Sequence, residues 1–192
     1  KKNDPILNNL ISIIGEFTLL PRRDYFEGLI RIIIGQQLSV IAARSIFNRF
    51  KESLENKITP HIVTITPYKI FFDACLSRAK TRTVKELANE IINEKLKLDK
   101  ISGLTNEEIY QSLIKVNGIG PWTIHNYQIF VLGRLNILPI NDLAFRKAIK
   151  LNYGLKELPD DNEIIRLSNN WKGFETIAAW YLWETINRKV IK

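Results

Sequence analysis

Apolar residues recur at spacings of three and four along almost the whole chain. Leu7, Leu10, Ile11 and Ile14 form one such stripe, Phe26, Leu29, Ile30, Ile33 and Ile34 a second, and Ile41, Ile46, Phe47 and Phe50 a third. That is the period of an α-helix with one buried face. The same spacing predicts helices over Tyr68 to Cys75, Ala79 to Lys95, Glu107 to Val116, Trp122 to Leu132, Leu143 to Leu151, Asp161 to Asn169 and Thr176 to Arg188. Strand-like alternation is confined to Ile58 to Ile65, where Pro60 and Pro67 bracket the segment and disfavour an extended ladder. Turn signals fall between the stripes, at Pro5, Pro21, Gly103, Gly118 to Pro121, Leu138 to Asn141, Pro159 and Gly173. The expected fold class is all-α, with about ten short helices. No internal repeat or low-complexity tract is present, and no linker is long enough to separate independent domains.

Composition narrows the class. At 192 residues the chain is one globular domain, or two small lobes sharing a core, and it needs neither disulfides nor a structural metal to hold it together. Its one cysteine, Cys75, excludes an internal disulfide framework, a cysteine-rich zinc site and a four-cysteine iron–sulfur cluster. No apolar run approaches the ~18 residues of a membrane span, and residues 1–20 lack a signal-peptide pattern. The expected location is intracellular: cytoplasmic or with the nucleoid, or nuclear in a eukaryote. A formal charge of +8 makes a polyanion such as nucleic acid a candidate partner, although charge by itself is a weak pointer. Lys95, Lys97 and Lys100 read as a solvated face.

The most informative stretch is VNGIGPWT, residues 116–123. Two glycines around one isoleucine permit positive φ and close approach by another molecule, and Pro121 suits the first turn of the following helix. The result is a helix-hairpin-helix over residues 115–124. N–H groups at the start of its second helix offer a phosphate both hydrogen bonds and a favourable dipole. An ordinary interhelical turn is the competing reading, which the flanking helices and the basic charge disfavour. In INDLAFRK, residues 140–147, Asn141 reads as an N-cap and Asp142 as a first-turn acid. Taken alone, such an acid simply complements the helix dipole, which also favours its ionised form.

All four tryptophans lie in the last third, among Trp122, Tyr127, Phe130, Trp171, Phe174, Trp180, Tyr181 and Trp183. Phe130, Trp171 and Trp180 are assigned to the core. The GQQLS stretch, Gly35 to Ser39, is either a polar joint or a finger reaching into a groove. His61 reads as a loop residue, His125 as a helix-surface or pocket-rim residue, and Cys75 as a small core residue. Two histidines are too few for a metal triad, so no catalytic metal is expected.

Five segments, IIIGQQLSVIAARSIFNRF, CLSRAKTRTVKELA, VNGIGPWTIHNYQIFVLGR, PINDLAFRKA and WKGFETIAAWYLW, resemble in order the helix-hairpin-helix superfamily of DNA glycosylases, and within it the alkylated-base branch of the DNA-3-methyladenine glycosylase II type. The match runs from about Asp24 to Trp183 and is to the compact form, without the N-terminal sheet domain of some members. It implies two lobes with an active-site cleft between them, within a single glycosylase domain spanning residues 1–192.

By position, the resemblance makes Asp142 the catalytic aspartate and Gly118, Ile119 and Gly120, with Thr123, the DNA grip. Trp183 matches the aromatic on which the flipped base stacks, and Trp122, His125 and Asn126 line the base pocket. Gln37 or Leu38 fills the vacated stack. Trp122 stands where bifunctional relatives carry a Schiff-base lysine, so hydrolysis without strand cleavage is implied. Hairpin carbonyls can hold a structural monovalent cation as in relatives; no organic cofactor and no iron–sulfur cluster is implied.

The implied partner is double-stranded DNA containing damaged bases, engaged by a monomer and with no membrane. Arg44, Arg146 and Lys147 are further candidate DNA contacts. Four residues depart from the family pattern. Asn117 replaces a proline and is expected to loosen the turn, Glu175 replaces an arginine, Cys75 replaces a glycine, and Asn126 replaces an apolar or aromatic residue. The competing functions are removal of a deaminated or mismatched base, and a non-catalytic helix-hairpin-helix DNA-binding module. A carboxylate aimed at anionic DNA disfavours the module, which would gain nothing from it.

Overall fold

The structure is a computed structural model that describes residues 4–188. Among the described residues there are eleven α-helices, two short 3-10 turns and no strand. The backbone divides into two compact units, one of residues 22–132 and one made of residues 4–21 with 133–188. Each has its own hydrophobic cluster. No described helix is long and apolar enough to cross a membrane.

The continuous unit holds α2 (Tyr25–Gly35), α3 (Val40–Ser53), α4 (Pro60–Ile65), α5 (Tyr68–Asp73), α6 (Arg78–Ile92), a 3-10 turn at Leu98–Gly103, α7 (Asn106–Leu113) and α8 (Pro121–Phe130). Its core is built from the predicted stripes, with Leu29, Ile30, Ile33, Ile34, Phe47 and Phe50 fully buried. Ile58 to Ile65 is not extended. Thr59 caps α4 by accepting from the Ile62 N–H at 3.3 Å. Pro60 occupies the first helical position, where its missing N–H costs nothing. His61 therefore lies exposed on a helix instead of in a loop.

Cys75 is not a core residue; the thiol is exposed, while its neighbours Ala74 and Leu76 are buried. The reason is backbone geometry. Cys75 follows the end of α5 at φ +68°, with its N–H on the Phe72 carbonyl at 2.8 Å and the Leu76 N–H on the Phe71 carbonyl at 2.9 Å, a Schellman ending. A residue with a Cβ is strained in that conformation, which explains why glycine suits the position. Cys75→Gly is expected to raise stability by about 1 kcal/mol, seen as a higher urea midpoint at unchanged slope; a lower midpoint would overturn this account.

The discontinuous unit holds α1 (Pro5–Ile14), α9 (Leu143–Asn152), α10 (Asp161–Ser168), a 3-10 turn at Asn169–Trp171 and α11 (Glu175–Asn187). One carboxylate closes it. Asp4 Oδ1 caps α1 by accepting from the Ile6 and Leu7 N–H groups, both at 3.1 Å. Its Oδ2 accepts from Tyr153 Oη at 2.5 Å and Trp171 Nε1 at 2.8 Å. Burial and this acceptor together drive the Tyr153 phenol far above its ordinary pKa, so it remains a donor. Trp171 and Trp180 are core residues as expected, whereas Phe130, in the other unit, is only half-buried.

Candidate functional site

In the continuous unit, the chain between α7 and α8 turns at Gly118. Its φ is +85°, and a Cβ there would lie 2.0 Å from Thr83 Oγ1, so both backbone conformation and space demand glycine. Gly120 differs. It is extended at φ −113°, and a Cβ would meet nothing within 4 Å, so its bareness serves approach from outside and not the turn. Ile119 is buried in the core, which anchors the hairpin and leaves only its backbone to a ligand. Pro121 opens α8 and no side chain caps the helix. First-turn N–H groups have no acceptor inside a helix, and together with the dipole they form an anion site.

Two side chains brace this turn. Gln36 Nε2 donates to the Gly118 carbonyl at 2.9 Å and to Thr123 Oγ1 at 2.8 Å. The Thr123 side chain is buried and engaged by Gln36, so the hydroxyl supports the hairpin from within, and only the Thr123 backbone N–H is left for a ligand. Glu86 Oε1 accepts from the Asn117 N–H at 3.1 Å and from Asn117 Nδ2 at 2.8 Å. Asn117 thus does not loosen the turn; it supplies two donors where proline would supply none. Glu86, Thr83 and Gln36 lie in recognised segments, yet nothing along the chain assigns them to the hairpin, because their role depends on which helices meet it.

The GQQLS stretch divides its labour. Gln36 turns to the hairpin, while Gln37, at φ +57°, and Leu38 are exposed. Lys80 Nζ donates to the carbonyls of Ile34 at 2.7 Å and Gln36 at 2.8 Å, satisfying the end of α2. Burial lowers the Lys80 pKa. Val40 and Ile41, which follow Leu38, are also exposed and make the tip apolar, a feature that the helical stripe concealed.

On α8, Trp122 is half-buried. The Asn126 side chain is buried and Nδ2 donates to the Trp122 carbonyl at 2.8 Å, so it steadies the first turn of α8. His125 is half-buried with its ring 6.3 Å from that of Tyr110 on α7, and its Nδ1 is buried without a hydrogen-bond partner. Burial holds this imidazole below its ordinary pKa.

In the discontinuous unit, Asp142 is the N-cap of α9, a position expected for Asn141. The Asp142 N–H bonds to the Pro139 carbonyl at 2.9 Å, the tight approach delays helix entry by one residue, and Asp142 takes the extended cap conformation. Its Oδ1 accepts from the Phe145 N–H at 2.7 Å and from Trp183 Nε1 at 3.2 Å. The Trp183 ring meets Phe145 edge-on at 6.0 Å, which fixes the indole that in turn orients the carboxylate. Asp142 is 9% exposed, so its charge acts in a water-poor setting. Arg146 is corrected as a DNA contact. It donates to the carbonyls of Ile140 at 3.0 Å and Pro159 at 2.6 Å and pairs with Asp161, which pins the approach to Asp142. Arg44 and Lys147 are exposed.

A family model described as the HhH-GPD superfamily base excision DNA repair protein matches residues 30–173. Alkylbase DNA glycosidase-like protein mag2 of Schizosaccharomyces pombe is 33% identical over 183 residues, covering 92% of this chain and 86% of that protein. DNA-3-methyladenine glycosylase 1 of the same organism is 31% identical, covering 92% and 80%. Among solved structures, the S. pombe 3-methyladenine DNA glycosylase in complex with abasic DNA superposes with a TM-score of 0.88 at 30% identity, covering 97% of this chain and 93% of that one.

Proposed function

The chain belongs to the HhH-GPD superfamily of base excision DNA repair proteins, and we propose that it is a monofunctional DNA glycosylase that hydrolyses the N-glycosidic bond of alkylated purines such as 3-methyladenine. The observation that carries this reading is the Asp142 carboxylate, held at Oδ1 by the Phe145 N–H and the Trp183 indole. It is supported by relatives named for that activity.

The chemistry needs little more than one fixed carboxylate. Alkylation at a ring nitrogen makes the base cationic, so it leaves with both electrons of the C1′–N bond and departs neutral, without prior protonation. Asp142 stabilises the positive charge that develops on the sugar, an electrostatic effect that is large where water is scarce. Water then adds at C1′, forming the new C–O bond, and its proton passes to solvent. Access requires the nucleotide to leave the duplex, at a cost of a few kcal/mol. The half-buried indole of Trp183, bonded to Asp142, offers its face to a cationic base, a contact worth about 2 kcal/mol once desolvated. With tryptophan at position 122 and no amine there, no imine forms with the sugar.

The hairpin backbone grips phosphates of duplex DNA, and the protein acts as a monomer. Duplex DNA methylated throughout tests the reading: single-turnover incubation is expected to release 3-methyladenine and to leave strands that break only after alkali. Breaks before alkali would overturn the monofunctional assignment. Release of no alkylated base, with DNA binding intact, would point to another lesion or to a non-catalytic module.

A further inference from the structure

We propose that a second stretch of the phosphodiester backbone is bound along the exposed face of α6 by Arg78 and Arg82. The inference rests on the glycosylase reading only in taking duplex DNA as the partner.

Helix α6 is joined to the DNA-gripping turn at three places. Thr83 fills the space that a side chain at Gly118 would need. Glu86 holds Asn117 through both of its nitrogens. Lys80 reaches the carbonyl of Gln36, whose amide in turn holds Gly118 and Thr123. Whatever approaches the hairpin therefore meets the start of α6. A groove of about 370 Å³ runs there, lined by Gln36, Gln37, Ser77, Lys80, Thr83 and Gly118.

Arg78 and Arg82 lie four residues apart on one face of α6, in the same stretch of helix as Ala79, Lys80 and Thr83, which line that groove, although neither arginine lines it. Both arginines are exposed. The neighbouring cations on the helix are committed elsewhere: Lys80 to the end of α2, and Lys85 to the carbonyls of Val63 and Thr64 beneath the Tyr68 ring. Among the described residues, Arg78 and Arg82 enter no ion pair with a carboxylate. Two guanidinium groups four residues apart span about 6 Å of helix axis, close enough together to meet neighbouring phosphates of one strand. Guanidinium suits phosphate because its fork donates to two oxygens at once. Such contacts add affinity without reading sequence.

The test is the salt dependence of binding to an undamaged duplex and to the same duplex with one abasic site, from 50 to 200 mM KCl. R78Q/R82Q is expected to lower the magnitude of the log–log slope by about 1.8, and each single variant by about 0.9, with equal weakening on both duplexes. K97Q/K100Q removes the same charge from an exposed site elsewhere on this unit and is expected to leave the slope unchanged. An unchanged slope in R78Q/R82Q, or an equal drop in K97Q/K100Q, overturns the proposal. Failure of the glycosylase reading looks different, as absence of base release from methylated DNA by the unaltered protein, and it leaves the slope comparison intact.

Discussion

Asp142→Asn lowers the single-turnover rate of alkylpurine release by about 100-fold or more, while affinity for abasic duplex DNA stays the same or rises. The substitution is nearly isosteric. Asparagine caps helices as well as aspartate does, and its carbonyl oxygen can still accept from the Phe145 N–H and from Trp183 Nε1. Fold, capping and indole orientation are thus preserved, and only the negative charge is lost. That charge is what a developing sugar cation requires, in a position only 9% exposed where water screens it weakly. Binding to the abasic product does not need it, and removing a negative charge that faces DNA can only favour association. The measurement is paired: release of 3-methyladenine under single-turnover conditions and a binding titration on the same preparation. Release within a few-fold of the unaltered protein would sink the catalytic assignment; loss of both release and binding would show that the variant damages the fold.

Gly118→Ala is expected to cost about 2 to 4 kcal/mol of stability, the sum of a left-handed backbone forced on a β-carbon and of overpacking against Thr83. It also displaces the turn whose backbone meets phosphate, so DNA affinity falls on damaged and undamaged duplex alike. Gly120→Ala separates the two effects. Its backbone is extended and its added methyl meets nothing in the protein, so the melting temperature falls only by the small cost of alanine at an N-cap, much less than for Gly118→Ala, while binding weakens. A further Thr83→Ala exchange in the Gly118→Ala background removes the 2.0 Å overlap but not the φ of +85°, and recovers only part of the stability. Equal melting temperatures for the Gly118→Ala and Gly120→Ala proteins would refute this division of roles.

Helical spacing exposed most of the fold. The stripes at Leu7 to Ile14, Phe26 to Ile34 and Ile41 to Phe50 became α1, α2 and α3 with their apolar residues largely buried. Ile58 to Ile65 showed strand-like alternation for a local reason: the six-residue helix begun by Thr59 and Pro60 is too short to show its period. At the candidate site, the order of motifs singled out the hairpin and Asp142, but not how either is held. Gln36 and Gln37 are adjacent and chemically identical, and only the turn at the end of α2 sends one to the hairpin and the other to solvent. Arg146 looked like a DNA contact because its three partners, the Ile140 and Pro159 carbonyls and Asp161, cannot be recognised along the chain.

What the sequence by itself determined was therefore periodic or covalent in origin: the all-helical class, the element order, the absence of cysteine chemistry, and a glycine-bearing hairpin ahead of a lone carboxylate. These follow from side-chain spacing and from what each residue type can do in its own backbone. What only the tertiary structure decided depends on partners brought from far along the chain, 41 residues for Trp183 on Asp142, 82 for Gln36 on Gly118 and 31 for Glu86 on Asn117. Hydrogen bonds reach about 3 Å, so the identity of a partner is set by how helices pack, and packing is a property of the whole fold.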